Sequence, residues 1–127
     1  MVSWPLLIAA LITVESSDGL KTVGDGGSAI GVLQIHKIYV RDCNVILKRK
    51  GAEFKYRYGD RYSEPHSVGM ANLYLKHYCE QYEKETGKKA TMEIAARMHN
   101  GGPNGWKKES TNGYWRKVQA VLSARAK

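Results

Sequence analysis

Two carboxylic acids stand out because of what surrounds them. Glu15 closes an almost wholly apolar run, WPLLIAALITV at 4–14, so an ionisable group ends a segment built for burial. Two effects favour the protonated form of a carboxyl placed there. One is desolvation against neighbours such as Leu11 and Ile12; the other is the negative end of the helix dipole. A carboxylic acid kept protonated near neutral pH can serve as a general acid. On local sequence alone, Glu15 could equally face solvent in a fraying last turn. Asp25 follows ten residues later in GDGG, whose glycines let the chain fold back beside a helix end. Two carboxyls flanking one cleft can cleave a glycosidic bond. One protonates the departing oxygen, while the other attacks or stabilises the cation-like sugar, or activates water. Asp18 competes with Asp25 for the second role, and an ordinary turn aspartate would also account for GDGG.

The elements that must position these groups follow from capping and periodicity. Pro5 suits the first turn of a helix, with Ser3 as its N-cap. Leu7, Ala10, Leu11 and Val14 share one face, and Leu6, Ile8 and Ile12 make the others apolar, which predicts a helix enclosed by protein. SSDGLKTVGDGGSAIG at 16–31 is turn chemistry with room for a short hairpin. A second helix is expected over 36–50, with Ile38, Val45 and Ile46 as apolar positions and KRKG as its stop. Residues 51–62 read as loop. Pro65 opens a third helix after Ser63 or Glu64. Its stripe is Ala71, Leu75, Tyr78 and Tyr82, and Gly87 is its C-cap. Thr91 with Ile94 begins a short helix that ends in HNGGPNG. Thr111 starts the last, with Tyr114, Val118, Val121 and Leu122 on its apolar face. About five helices and one glycine-rich β or loop excursion make the class mainly α (α+β).

Composition narrows the choices. A chain of 127 residues, 43% hydrophobic and 25% charged, has the length and balance of one globular domain. The run at 4–14 is too short to span a membrane, which takes about 20 apolar residues. No Lys or Arg precedes it and Glu15 follows it, so it reads as a buried helix, the chain being made without a signal or having already lost one. Cys43 and Cys79 could form one disulfide or stay as buried thiols. His36, His66, His77 and His99 are scattered, and no metal-ligand spacing appears. A net charge of +8 points to an anionic partner: nucleic acid, an anionic membrane face or an acidic cell-wall polymer. KYRYGDRY at 55–62 interleaves charge with aromatics as a nucleic-acid surface would. Yet no recognised nucleic-acid motif is present, and a binding module leaves Glu15 and HNGGPNG without a purpose.

Four segments together resemble the invertebrate-type lysozymes: VESSDG at 14–19, GDGGSAIGVLQI at 24–35, AARMHNGGPNG at 95–105 and TNGYWRKV at 111–118. The resemblance covers 14–43 and 95–118 well and the remainder only in helical character. It implies a lysozyme-like catalytic domain over 1–127, acting as a monomer without a cofactor or metal. The implied substrate is peptidoglycan at the bacterial cell wall, cut at the β-1,4 bond between N-acetylmuramic acid and N-acetylglucosamine. By the same resemblance Glu15 is the general acid and Asp25, upstream of the G-x-x-Q-I segment, the second carboxylate. Ser28, Gln34, His99, Asn100 and Gly101 become substrate-binding residues. Read on their own, Gln34 could instead brace a loop, Ser28 could be a turn serine, and His99 could cap a helix. Looser versions of these motifs occur in goose-type lysozymes and lytic transglycosylases, which leaves a transglycosylase using Glu15 alone as the alternative. The chain departs from the family in having two cysteines where relatives are dense in disulfides, and in a shorter interval from Glu15 to Asp25.

Overall fold

The computed structural model describes residues 1–17 and 22–125, so Asp18 lies outside the described residues. Helix α1 (Trp4–Ser16) opens with Pro5 in its first turn, where the missing N–H has no partner to lose. Ser3 occupies the N-cap position but makes no side-chain cap hydrogen bond. Leu7, Ala10 and Leu11 are fully buried, whereas Leu6 is 53% exposed. The expected enclosure on all sides is therefore not met: α1 lies on α5 and touches α3 and α4, and its remaining flank meets solvent. The helix ends at Ser17, which turns left-handed at φ 52°.

The excursion is a minimal hairpin. Strand β1 (Val23–Gly24) pairs antiparallel with β2 (Ala29–Ile30), Val23 opposite Ile30 and Gly24 opposite Ala29. The connecting turn runs through three consecutive left-handed residues, Asp25, Gly26 and Gly27, at φ 50°, 66° and 99°. So few strand pairs cannot hold themselves together in water. The anchor is Arg61, from a 3-10 turn over Tyr58–Tyr62 in the stretch expected to be loop. Its buried guanidinium donates to the carbonyls of Tyr58, Ser28 and Ile35. Gly31 has to be glycine here: at φ 84°, a Cβ would come 1.8 Å from the Arg61 carbonyl oxygen.

Helix α2 (Lys37–Arg49) buries Tyr39, Val40, Cys43 and Ile46. Of the three apolar positions named for this helix, Ile46 is buried while Ile38 and Val45 are 73% and 45% exposed. Tyr39 takes a buried place by stacking on Tyr74 of α3 (Glu64–Thr86), with ring centroids 3.8 Å apart. Ser63 caps α3 by accepting from the His66 N–H, and Gly87 ends it at φ 70°. Ala71, Leu75 and Tyr82 of the expected stripe are buried, with Tyr78 half-buried. Thr91 caps α4 (Met92–Gly101) by accepting from the Ile94 N–H. Helix α5 (Asn112–Arg125) begins one residue past Thr111 and buries Val118. The five helices and the hairpin match the α+β class expected from the pattern. Among the described residues, no helix is long and apolar enough to cross a membrane.

Cys43 and Cys79 are free thiols, both buried. Burial, then the Asp42 charge, pushes Cys43 up to about 12, and burial, then Glu83, pushes Cys79 up to about 12. An unfolded chain releases these protons near the ordinary thiol value of about 8.5. The folded chain retains them, so this contribution to stability is complete below that pH and is lost as the pH rises towards the folded values. The melting temperature should hold through neutral pH and fall progressively above about pH 9. A melting temperature unchanged at high alkalinity in a pH series of thermal melts would contradict it.

Candidate active site

The penultimate residue of α1 is Glu15, with 18% of its side chain exposed. Its Oε2 accepts from the Tyr114 hydroxyl at 3.1 Å and lies 3.2 Å from Nε2 of His99. Among the described residues its Oε1 has no partner. His99, in the last turn of α4, is itself buried. Its Nε2 also lies 2.9 Å from the Leu33 carbonyl oxygen, and its Nδ1 lies 3.0 Å from the Tyr39 hydroxyl. A carbonyl oxygen can only accept, so Nε2 carries the hydrogen and donates it to Leu33, with Glu15 Oε2 beside it at 3.2 Å. In the neutral ring Nδ1 then accepts from Tyr39. Burial holds the Tyr39 and Tyr114 hydroxyls well above their ordinary pKa, and the Glu15 charge adds to both. Both phenols therefore remain donors at any physiological pH.

Glu15 and His99 form one wall of a cavity of about 440 Å³. Asp25, Gln34, His36, Asn100 and Lys117 line it as well. A larger cleft of about 670 Å³ adjoins it, sharing His36, His99 and Asn100 and continuing along Gly101, Gly102 and Pro103. Asp25 is exposed, and its Oδ2 sits 3.0 Å from Nε2 of His36. Gln34 donates from Nε2 to the Gly31 carbonyl at 2.9 Å. Its Oε1 occupies space that a Cβ on Gly24 would enter, 2.2 Å away. Asp25 and Gln34 are both left-handed, at φ 50°. That conformation costs roughly 1–2 kcal/mol per non-glycine residue and persists where surrounding structure enforces it, as at functional sites.

The sequence-derived residues divide as follows. Glu15, Asp25, Gln34, His99 and Asn100 share the cavity, and Gly101 lines the adjoining cleft. Ser28 lines neither; its carbonyl accepts from Arg61, so its place is in holding the hairpin. His99 braces the acid in addition to facing the cavity, which is more than a helix cap does. Sequence reasoning passed over His36 and Lys117 and took Tyr114 for core. Tyr39, to which the sequence assigned no role, is only 7% exposed. The signal for both tyrosines was compositional: with eight tyrosines to one phenylalanine, some buried rings had to have hydroxyls needing partners. Among the described residues no cluster of three metal-ligating side chains occurs.

This arrangement has solved relatives. The chain is 36% identical over 118 residues to a lysozyme of Meretrix lusoria, spanning 90% of this chain and 86% of the relative. It is 34% identical to invertebrate-type lysozyme 6 of Caenorhabditis elegans, across 91% of this chain and 93% of that one. The crystal structure of Meretrix lusoria lysozyme in complex with Aeromonas hydrophila PliI matches it with a TM-score of 0.68 at 31% identity, over 91% of this chain and 88% of that chain. The chain belongs to the invertebrate-type lysozymes. No family model matches it. As a lysozyme it is a glycoside hydrolase, and a braced carboxyl at the end of an apolar helix is in keeping with that class.

The brace is testable. Tyr114→Phe removes the hydroxyl that donates to Oε2 and should lower kcat about tenfold, the worth of one hydrogen bond to a charged partner, with little change in melting temperature. His99→Gln, whose amide can donate from a similar position, should retain more activity than His99→Leu. Equal activity in the two His99 variants would deny the ring its role as donor.

Proposed function

We propose that this lysozyme is a muramidase. In this reading it hydrolyses the β-1,4 bond between N-acetylmuramic acid and N-acetylglucosamine in bacterial peptidoglycan, with Glu15 as general acid and Asp25 as second carboxylate. The observation that carries the reading is the unequal treatment of the two Glu15 oxygens. Tyr114 and His99 fill Oε2, so the transferable proton belongs on Oε1, the oxygen without a protein partner at the cavity wall. From there it passes to the departing glycosidic oxygen. The carboxylate left behind keeps the Tyr114 hydroxyl and the adjacent His99 ring, which compensate its new charge. It can then take a proton from the incoming water. Asp25 across the cavity stabilises the cation-like sugar, attacks it, or activates that water. His36 steadies the Asp25 carboxylate, and Gln34 and Asn100 offer amides suited to sugar hydroxyls and N-acetyl groups.

The transglycosylase alternative needs Glu15 alone and lets the substrate's own hydroxyl attack. An aspartate at the cavity supports hydrolysis over it. The nucleic-acid alternative has less support, because the cavity presents two carboxylates to its ligand, a poor lining for a polyanion. The net charge of +8 fits recruitment to the anionic wall, the proposed place of action.

Glu15→Gln should lower cell-wall clearing by about 10²–10⁴-fold, the usual worth of a general acid, while melting like the parent. Full activity in that variant would end the proposal. Asp25→Asn should lose much activity, and the products should end in reducing N-acetylmuramic acid; anhydro ends found by mass spectrometry would mean transglycosylation. Wall clearing should also weaken with added salt as the surface charges are screened, and a salt-independent rate would remove the recruiting role.

A further inference from the structure

The larger cleft continues beyond the catalytic cavity along α2, and the chemistry above makes no use of its far wall. That wall is apolar: Ile38 and Val45 stand exposed on it, with the Tyr74 ring behind. At its edge is Arg41, whose Nε donates to the Tyr58 hydroxyl at 3.0 Å. The Tyr58 ring lies beneath the Lys37 ammonium, 5.2 Å from its centroid. A phenol fixes a guanidinium without neutralising it. Neither Arg41 nor Lys37 has an ion-pair partner among the described residues. Asp42 also lines the cleft, where it accepts from the Tyr78 hydroxyl and makes no ion pair with either cation among the described residues. Arg41 on the lining and Lys37 beside it thus outnumber the one carboxylate of an apolar groove that opens from the catalytic cavity through His36, His99 and Asn100.

A bare glycan chain does not call for such a groove. Its sugars bring hydroxyls, amides and, on peptide-free muramic acid, a lactyl carboxylate close to the ring, but no apolar side chains. The muramic acid sugar of peptidoglycan brings more: a lactyl-linked peptide with small apolar side chains and free carboxylates. We propose that the α2 wall of this cleft binds that stem peptide, its apolar side chains lying on Ile38 and Val45 and a carboxylate meeting Arg41 and Lys37. The inference rests on the muramidase reading, because the peptide reaches the groove only when its own sugar occupies the cavity.

The test uses peptidoglycan stripped of wall polymers, before and after an amidase removes the stem peptides, with kcat/KM read from released reducing ends. The parent should cleave the peptide-bearing form about fivefold better, the gain expected from one partly exposed charge pair. Arg41→Gln should lose that preference while cleaving the peptide-free glycan as the parent does. Val45→Asp, which sets an acid in the groove at an exposed position, should do the same, so the outcome does not hang on one variant folding. Lys50→Gln removes the same net charge at the far end of α2 and should leave the preference intact. Equal losses by Arg41→Gln on both substrates, no peptide preference in the parent, or the same effect from Lys50→Gln would overturn the proposal. So would an effect that appears only on walls that still carry their phosphate-bearing polymers. Failure of the parent to cut either substrate would instead count against the muramidase reading.

Discussion

One ring nitrogen ties the site together. Nε2 of His99 donates to the Leu33 carbonyl, 2.9 Å away, and lies against the Glu15 carboxylate, 3.2 Å away. Those partners belong to three segments: the C-terminal end of α1, the loop after the hairpin, and the last turn of α4. The imidazole is buried, so an orphaned carbonyl at Leu33 would cost about 1–3 kcal/mol. The loop must present that carbonyl and α4 must deliver its final turn to the same point. The left-handed turn at Gly102, φ 88°, then lets the chain leave α4 directly after. Glu15 is oriented as a consequence of satisfying a backbone group.

The hairpin shows where rigidity at this site originates. Two residue pairs and a turn of three left-handed residues have little stability of their own, and Asp25 and Gln34 add strain. What holds them lies outside the cavity. Arg61 spends its guanidinium on three carbonyls, Ser67 donates to the Arg61 carbonyl, and Gly31 allows the two backbones to touch. A buried cation is costly unless it finds acceptors, and the bonds of the Arg61 Nε and Nη1 to carbonyls of its own turn, the hairpin and Ile35 fix the loop. The segment 51–62, which carries none of the family motifs, is thereby the support of the Asp25 turn.

The parts of the fold legible in the sequence are those decided locally. Pro5, Ser63, Thr91 and Gly87 mark helix ends by chemistry that acts within a few residues, and the structure uses each of them there. Helix faces are decided by what they meet, so Ile38 and Val45 were misplaced while Tyr39 and Cys43 took the buried positions. The site divides along the same line. Glu15 and Asp25 could be found because a carboxyl after an apolar run and an aspartate among glycines are anomalies visible in the chain. Tyr114 reaches Glu15 across 99 residues and Tyr39 reaches His99 across 60, and no spacing rule links positions so far apart. Ser28 was drawn into the site by the motif around it, although its own contact is with Arg61.

The partners of Glu15 also show how a chain with a net charge of +8 keeps its lysines and arginines from pairing with this carboxyl among the described residues. A guanidinium or ammonium paired with Glu15 would stabilise the ionised carboxyl and withdraw the proton that a general acid must give. Tyr114 supplies a neutral O–H instead, and His99 a ring N–H whose opposite nitrogen is occupied by a third neutral group, the Tyr39 hydroxyl. Lys117 lines the same cavity, yet it makes no ion pair with Glu15 among the described residues. The phenol and the imidazole fix the position of the carboxyl, and in the proposed mechanism they remain in place to compensate its charge once the proton has gone. In that mechanism the lysines and arginines attract the anionic wall and leave the carboxyl to these two partners.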